Sequence, residues 1–428
     1  MSEATIDISE LVADAKLNRQ HLIILVLSAM MLFIDGFDMS TTGVAAPSLL
    51  HAFHGEKSAM GVIFGANYAG ILVGCWVFGY VGDRWGRKLG SIWACLVYAI
   101  PSILIALATS LDQILYLRFL VGIGLGGVMP TTLALLAESA PKSYRASFAM
   151  TALFGFPAGG AIVGLVGAHL IPTFGWPIVF YAAGFGGLAL SVLLVFLLPE
   201  SLTFLALHKP DAPALRQRAQ RLAPQRLFAP DTRFVVRREE KPKGLMVGEL
   251  LKGEQRLATV LLWTAYFVEG FTYITLANWM AVVLQDKGLS SFTALSTVSY
   301  ANAAGIFVSL CLMRPLDKIG PLASVVSAFV AITAIFVLGT PGMSQLAIIA
   351  AAVTAHGFCS GTHTSLNGTV ALFYPTRIRS NGIGWASAMG RISSVIGPIV
   401  LGYALSWSLQ YALYLLTVPY FVLVLTNI

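Results

Sequence analysis

Two aspartates interrupt the first long apolar stretch of the chain. Asp35 and Asp38 lie within residues 22–50 and are three positions apart, so a helix presents both carboxylates on one face. A run of this length crosses a bilayer, which takes about 20 residues. Because an acid near the centre of a spanning helix costs about 2.5–3.5 kcal/mol, two acids on one face indicate a cavity lined by protein or water. A purely structural ion pair is the alternative.

Two arginines lie at comparable depth in other apolar stretches. Asp35 lies about 21 Å from one face of the hydrocarbon core, and Arg118 lies about 9 Å from the other face. Because the core is about 30 Å thick, the two residues lie at the same depth. Arg118 is therefore predicted to pair with Asp35 or Asp38, as a structural pair or as one linked to proton or ligand binding. Arg391 lies about 17 Å deep with no acid in its own helix, and its planar fork predicts binding of a carboxylate ligand. A contact with a helix carbonyl or with an acid of the other half is the alternative.

Other polar and aromatic side chains in these stretches are candidates for lining the cavity. His356 and His363 are seven positions apart and share a helix face. Histidine chemistry suits a proton relay, although hydrogen-bonded interior histidines explain both equally well. Asn67 and Tyr68 are polar candidates, and Trp385 is a candidate for stacking on an aromatic ring, with ordinary packing as the alternative.

The composition is that of a polytopic protein in a lipid bilayer. Of 428 residues, 57% are hydrophobic and 11% are charged, whereas soluble domains carry about 25% charged residues. Four cysteines lie in apolar stretches at unrelated spacings, which predicts neither a disulfide framework nor a metal site. The acidic N-terminal segment and the long first run predict a retained anchor rather than a cleaved signal peptide.

Apolar runs between polar breaks predict an all-α membrane protein with twelve transmembrane helices. The predicted spans are 21–45, 59–80, 89–109, 112–137, 147–171, 177–198, 256–284, 292–313, 321–339, 344–371, 380–405 and 409–427. Residues 199–255 are polar, rich in Arg, Lys, Pro and Ala, and predict a cytoplasmic linker. The predicted organisation is an N-terminal six-helix bundle (1–198), the linker (199–255) and a C-terminal six-helix bundle (256–428).

The distribution of Lys and Arg predicts the orientation in the membrane. With the N-terminus in the cytoplasm, 23 of the 27 basic residues fall in cytoplasmic segments, whereas only Lys57 and Lys287 fall on the opposite side. The remaining two, Arg118 and Arg391, lie inside spans. Both termini are therefore predicted to be cytoplasmic. The basic linker could also bind nucleic acid or lipid headgroups, but the positive-inside bias explains it, so no nucleic-acid partner is expected.

The two halves of the chain are related by a single shift of 234 residues. Residues 83–86 (DRWG) correspond to residues 317–320 (DKIG), since 317 − 83 = 234, and residues 141–145 correspond to 375–379 by the same shift. Six spans separate the copies, so both run in the same membrane orientation. Parallel six-helix repeats predict a substrate site between the halves near the bilayer midplane.

The same shift places Asp35 on Glu269, which makes Glu269 a second candidate for holding a proton. The counterpart of residues 199–201 would fall beyond residue 428. The second half is therefore expected to lack a cytoplasmic tail, either as a native feature or because the product is truncated.

Residues 79–88 (GYVGDRWGRK) resemble the loop signature of the major facilitator superfamily. Three segments narrow the resemblance to the aromatic acid:proton symporter family: 35–49 (DGFDMSTTGVAAPSL), 118–141 (RFLVGIGLGGVMPTTLALLAESAP) and 373–398 (FYPTRIRSNGIGWASAMGRISSVIGP). The resemblance implies the major facilitator fold, alternating access, and a monomer that imports aromatic carboxylates or their ring-cleavage products with protons through the bacterial inner membrane. The resemblance leaves the carried acid open among the benzoate, hydroxybenzoate, protocatechuate, muconate and lactone types.

The residues and the resemblance together imply three groups of site residues. Substrate binding is expected of Arg391, Arg118, Asn67, Tyr68, Trp385 and His363. Proton coupling is expected of Asp35, Asp38, Glu269 and His356. The resemblance implies gating at the cytoplasmic face by Asp83, Arg84, Arg87, Lys88, Glu138, Arg145, Asp317 and Arg379. The second loop copy is degenerate, with Met313 in place of Gly79, so symmetrical gating is not expected.

One further motif is a decoy. Residues 122–127 formally satisfy G-x-G-x-x-G, but they lie inside a predicted span with no preceding strand. Their glycines are instead expected to let helices approach closely. Since no Walker loop, zinc-binding helix or nucleophile elbow is present, we expect no enzyme and no cofactor, and energy from an ion gradient. A proton-driven drug or organic-anion exporter and a non-transporting sensor of the same fold are the alternatives.

Overall fold

The computed structural model describes residues 5–210, 212–223, 228, 232–236, 247–252, 255–374 and 376–427. The first half contains β1 (Thr5–Asp7), α1 (Ile8–Ala13), α2 (Arg19–Ala52), α3 (Lys57–Trp85), α4 (Arg87–Ile105), α5 (Leu111–Ser139), α6 (Arg145–Leu153), α7 (Gly155–Phe174) and α8 (Pro177–Leu197). The linker region contains α9 (Leu202–His208), α10 (Pro213–Leu222), β2 (Arg233–Val235) and α11 (Val247–Leu250). The second half contains α12 (Gln255–Asp286), α13 (Ser291–Ile319), α14 (Leu322–Gly339), α15 (Gln345–Phe373), α16 (Thr376–Trp407) and α17 (Leu409–Asn427).

The twelve predicted spans are confirmed, because twelve segments of the described chain are long and apolar enough to cross a membrane. Several helices extend past the predicted runs. For example, α2 continues to Ala52 and α13 to Ile319. An apolar run marks only the part of a helix that lies in hydrocarbon, whereas the helix itself continues into the aqueous ends.

The fifth span differs from the expected single helix. It is divided into α6 and α7, with the break at Phe154. Pro157 lies in the first turn of α7, and it has no N–H group to bond the carbonyl of Leu153 across the break. The chain therefore starts a new helix there.

Both halves assemble in the same pattern. In the first half α2 packs on α7, α3 on α5, and α4 on α8. In the second half α12 packs on α16, α13 on α15, and α14 on α17. These are the same pairs shifted by one repeat, as expected for parallel six-helix repeats.

Close backbone contacts repeat with the 234-residue shift. The backbone at Gly36 lies against the Phe156 carbonyl, and the backbone at Gly270 lies against the Gly390 carbonyl. Each residue of the first pair is shifted by 234 positions to give the second pair, since 270 − 36 = 234 and 390 − 156 = 234. A Cβ atom at either glycine would overlap the facing backbone, so glycine is required for this approach.

The interface between the halves follows the same symmetry. Gly61 of α3 contacts Pro398 of α16, and Leu295 of α13 contacts Gly164 of α7. The two contacts are related by the same shift, since 295 − 61 = 234 and 398 − 164 = 234. The helix pairs α3–α16 and α7–α13 therefore join the halves through equivalent small-residue contacts, while α2 and α12 also pack together.

A small folded unit, here called the linker module, lies at one end of the bundles. Strands β1 and β2 pair in parallel, with Ile6 opposite Phe234. The module's apolar cluster joins the N-terminal segment to the linker through Ile8, Leu11, Val12, Leu202, Leu205, Leu215, Ala219 and Phe234. The end of the bundles that carries this module is called the linker end, and the opposite end the far end. The composition of residues 199–255 predicts only a polar linker here.

The linker module is attached to the first half. The Glu200 carboxylate accepts hydrogen bonds from the backbone N–H groups of Arg87 at 2.8 Å and Lys88 at 3.1 Å. Arg218 of α10 donates to the Glu200 carbonyl at 2.6 Å. Burial lowers the pKa of the Arg218 guanidinium, although the Glu200 carboxylate opposes that shift. The module therefore moves with the first bundle.

Candidate functional site

The two halves meet closely at the far end. Lys57 Nζ forms an ion pair with Asp286 Oδ2 at 2.6 Å. Deeper in the interface, Asn278 Nδ2 donates to Tyr68 Oη at 3.0 Å. The Gly43 backbone lies directly against that of Asn278. These contacts join α2 and α3 to α12, so they close the far end between the halves.

An aromatic contact lies beside these polar ones. Phe64 of α3 meets Trp279 of α12 edge to face, with ring centroids 5.2 Å apart. The indole N–H of Trp279 donates to the Pro398 carbonyl at 3.0 Å, which holds the ring in place. The far end is therefore sealed by a layer of packed rings as well as by hydrogen bonds.

The first group of predicted gate residues makes its bonds within the first half rather than across to the second half. Arg87 pairs with Asp83 at 2.7 Å and with Glu138 at 2.8 Å. Lys88 Nζ donates to the Val195 carbonyl at 2.6 Å. Ser201 of the linker also donates to Glu138. This network shapes the linker end of the first bundle.

Three further predicted gate residues do not join the halves either. Arg84 and Arg145 are exposed, and Arg379 Nε donates to the Tyr374 carbonyl at 3.1 Å within the second half. The side chain of Asp317 lies outside the described part of the structure. Among the described residues no ion pair crosses between the halves at the linker end, and α5 does not pack against α15 there. Since the described polar contacts between the halves lie toward the far end, we infer that the space between the halves, here called the cleft, opens toward the linker end.

Asp38 and Arg118 form an ion pair that is sealed inside the first half. Arg118 Nη1 lies 2.7 Å from Asp38 Oδ2, and both side chains are 0% exposed. Ser102 of α4 donates to the other carboxylate oxygen at 3.0 Å. The guanidinium also lies 5.2 Å from the ring centroid of Phe180. The predicted pairing with Asp38 is confirmed. The predicted contact of Arg118 with substrate stays a prediction, since both side chains of the pair are buried in this conformation.

Asp35 has a different environment from Asp38 one helical turn away. It is 5% exposed, and its carboxylate receives no hydrogen bond from the described side chains. It lies within electrostatic range of Arg391 on α16 of the other half. Asp35 therefore lies outside the Asp38–Arg118 ion pair, and its predicted role in proton coupling stays a prediction.

Arg391 reaches from the second half to the first. Its Nη1 donates to the thiol of Cys75 on α3, and Cys75 also contacts the Gly126 carbonyl at 3.1 Å. Among the described residues no carboxylate lies within ion-pair distance of Arg391. The guanidinium is partly exposed in the cleft and retains hydrogen-bond donors that an anion could use.

Glu269 and His363 are brought together in the second half. His363 Nδ1 donates to Glu269 Oε2 at 3.1 Å. The His363 ring stacks on Tyr273, with centroids 5.6 Å apart, and His356 meets the same tyrosine at 5.4 Å. His356 is buried and its Nδ1 has no hydrogen-bond partner among the described residues, so the two histidines share a face as predicted but differ in access to the cleft.

The other predicted substrate contacts take separate positions. Asn67 is buried and its Nδ2 contacts the Met39 sulfur at 3.5 Å. Trp385 is half-buried and packs on Trp263, with centroids 5.9 Å apart. Tyr68, as described above, accepts a hydrogen bond from Asn278 of the second half. The predicted contacts of these three residues with substrate stay predictions.

Three residues with clear structural roles were not predicted. Ser102 completes the buried ion pair, Cys75 contacts Arg391, and Tyr273 links the histidines. Each lies in an apolar stretch where serine, cysteine and tyrosine are ordinary. No pattern in the sequence distinguishes them from packing residues.

The glycines of residues 122–127 behave as predicted. Their backbones lie directly against α3 and α4, with Gly122 against Asn67 and Gly124 against Tyr98. Such close approach leaves no room for a nucleotide and holds α5 in register with its neighbours. Among the described residues within the spans, Arg391 lacks a carboxylate partner, and Asp35 and Glu269 are carboxylates in separate halves. This set of groups suits binding of an anion and a proton.

Comparisons with known proteins agree with this geometry. Residues 28–354 match the family described as Major Facilitator Superfamily. The chain is 31% identical to the 4-hydroxybenzoate transporter PcaK of Acinetobacter baylyi, covering 97% of this chain and 92% of the relative. It is also 31% identical to a gallate transporter of Pseudomonas putida, covering 95% and 90%.

A solved structure shares the fold. The inward-facing, occupied structure of a bacterial homologue of the human lysosomal transporter Spinster has a TM-score of 0.74 and 16% identity, covering 96% of each chain. The family and the relatives are transporters rather than enzymes. The chain therefore belongs to the Major Facilitator Superfamily and, within it, to the family of aromatic acid transporters.

Proposed function

We propose that this protein is a symporter that imports an aromatic carboxylate together with protons across the cytoplasmic membrane. The observation that carries the proposal is Arg391, a cation inside the membrane-spanning region with no carboxylate partner among the described residues. A cation in that position needs a counter-charge, and a substrate carboxylate supplies it. The curated relatives are transporters of 4-hydroxybenzoate and gallate, both aromatic acids.

The orientation follows from the basic residues. The linker end carries nearly all the Lys and Arg that lie outside the spans, and positive charge is retained on the cytoplasmic side. Both termini and the linker module are then cytoplasmic. In this orientation the cleft is open to the cytoplasm and closed toward the outside by the Lys57–Asp286 pair.

Asp35 couples the proton to the anion. When Asp35 is charged, its carboxylate repels the substrate carboxylate. It also competes with the substrate carboxylate for the positive charge of Arg391. Protonation of Asp35 removes that repulsion, so the proton strengthens anion binding and the anion strengthens proton binding by the same factor. With Asp35 protonated, the substrate carboxylate and Arg391 form a neutral pair, which lowers the cost of moving them between the two sides.

Alternating access uses the two symmetric interfaces. The α3–α16 and α7–α13 contacts involve small residues and backbone atoms, so the halves can rock about them. The far-end contacts of Lys57, Tyr68 and Phe64 break when the outside opens. Both halves of the site lie in one chain, so a monomer completes the cycle without a cofactor.

Uptake by reconstituted protein tests this function. Proteoliposomes with an alkaline lumen are expected to accumulate at least one radiolabelled acid of the benzoate, 4-hydroxybenzoate and muconate set, and a protonophore is expected to abolish the accumulation. Liposomes without protein are the control, because neutral acids also cross lipid. Gradient-driven loss of acid from the lumen would indicate an exporter, and binding without uptake would indicate a sensor.

Replacing Arg391 by lysine is expected to raise the apparent KM for the carried acid by about tenfold or more, because lysine keeps the charge but cannot form a bidentate fork. The measurement is the initial rate of uptake against substrate concentration. Arg314→Lys, an exposed arginine at the linker end of α13, is the matched control. Wild-type KM in Arg391→Lys would exclude a direct contact with the substrate carboxylate.

A further inference from the structure

One carboxylate oxygen in the second half is buried without a partner. The Glu269 side chain is 2% exposed, and its Oε2 accepts the bond from His363. Its Oε1 is buried and has no hydrogen-bond partner among the described residues. Buried polar atoms are bonded in most native structures, because leaving them unbonded costs free energy. This oxygen is therefore expected to meet a donor in another state of the protein, such as the loaded one.

His363 connects this carboxylate to the cleft. Its side chain is 45% exposed, although it lies within the membrane-spanning part of α15, Gln345–Val370. Thr354, nine positions earlier and so on the opposite side of the helix, lines the groove between α14 and α15. His363 consequently points toward α12 and the cleft, with one ring face covered by Tyr273.

The chemistry of this pair selects its ligand. A neutral histidine whose Nδ1 donates to a carboxylate presents Nε2 as an acceptor. The pair of Glu269 and His363 thus offers hydrogen-bond acceptors and negative charge to the cleft. A carboxylate has no proton to donate and is repelled there, whereas a phenolic hydroxyl donates and carries no charge.

This acceptor pair lies at the level of Arg391. Gly270 and Gly390, the direct neighbours of Glu269 and Arg391, touch through their backbones. The cleft therefore has a cationic pole on α16 and an accepting pole on α12 and α15 at the same depth. An aromatic acid whose carboxylate meets Arg391 extends its ring across that level.

We propose that Glu269 and His363 form a hydroxyl subsite, which makes the transporter selective for ring-hydroxylated aromatic carboxylates over unsubstituted ones. This inference rests on the proposed function and narrows its substrate class. The ring hydroxyl donates to Nε2 of His363, whose Nδ1 is held by Glu269, while the substrate carboxylate binds Arg391.

The ratio of KM values for benzoate and its hydroxylated analogues tests the subsite. Wild-type protein in proteoliposomes is expected to show a KM for 3- or 4-hydroxybenzoate about tenfold below that for benzoate. His363→Phe keeps a ring but no acceptor, and is expected to remove most of that preference. His363→Gln retains a donor for Glu269 and an acceptor for the hydroxyl, and is expected to retain most of it.

Two controls separate this role from a structural one. His51→Phe changes an exposed histidine at the far end of α2 and is expected to leave the ratio unchanged. The double variant Glu269→Gln/His363→Phe removes the buried charge along with its partner, and is expected to fold and to lack the preference. A ratio that His363→Phe and the double variant leave at its wild-type value would overturn the subsite alone. Absence of uptake of every acid by wild-type protein would overturn the proposed function and the subsite with it.

Discussion

Asp35→Asn is expected to abolish proton-driven accumulation while leaving the protein folded in the membrane. The amide resembles a permanently protonated carboxyl in shape and charge, so it neither repels the substrate anion nor releases a proton. Binding and exchange are then uncoupled from the proton gradient. The measurement is uptake by proteoliposomes under an imposed pH gradient, next to exchange of labelled for unlabelled acid without a gradient.

The expected pattern for Asp35→Asn is lost accumulation with retained exchange. Asp112→Asn, an exposed aspartate in the first turn of α5, is the matched control and should accumulate substrate normally. Unchanged gradient-driven accumulation in Asp35→Asn would refute the coupling role. The exchange assay matters because a protein that merely failed to fold would lose both activities.

Arg118→Met is expected to destabilise the folded protein by about 3–5 kcal/mol, because it leaves the Asp38 carboxylate buried without its counter-charge. Both side chains are 0% exposed, so water cannot replace the guanidinium. The measurement is the thermal unfolding midpoint of the purified protein in detergent, together with its amount in the membrane fraction.

A double variant separates loss of packing from loss of charge. Asp38→Asn/Arg118→Met removes the charge but keeps an oxygen that can accept the Ser102 hydroxyl, and it is expected to recover most of the lost stability. Arg84→Met, at an exposed arginine, is the matched control and should have little effect. If the double variant were no more stable than Arg118→Met alone, the buried charge would not be the cause.

The far-end and linker-end contacts show how much of the gating could be predicted. The loop signature correctly marked Arg87 and its neighbours as an ion-pair network, and the structure confirms the bonds from Arg87 to Asp83 and Glu138. The contacts that close the cleft in this conformation lie at the other end, where Lys57 meets Asp286. These two residues are 229 positions apart, so only the packing of the halves brings them together.

The depth of Arg118 in the membrane was not enough to predict which aspartate it pairs with. Counting residues along the helices placed Arg118 level with both aspartates of α2. The structure pairs it with Asp38 and leaves Asp35 outside that pair. The rotation of α2 about its own axis decides between them, and that rotation depends on what α2 packs against, such as the close backbone contact at Gly36.

The amino-acid sequence by itself determined the membrane class, the twelve spans and the two parallel repeats. Hydrocarbon requires long apolar helices, and the 234-residue shift is readable in the loops that follow the second and fourth spans of each half. Only the tertiary structure decided which polar side chains meet. It sealed Arg118 with Asp38, brought Arg391 of the second half to Cys75 of the first, and joined His363 to Glu269. Those pairings depend on helix rotation and on contacts between helices distant in sequence, which no local pattern records.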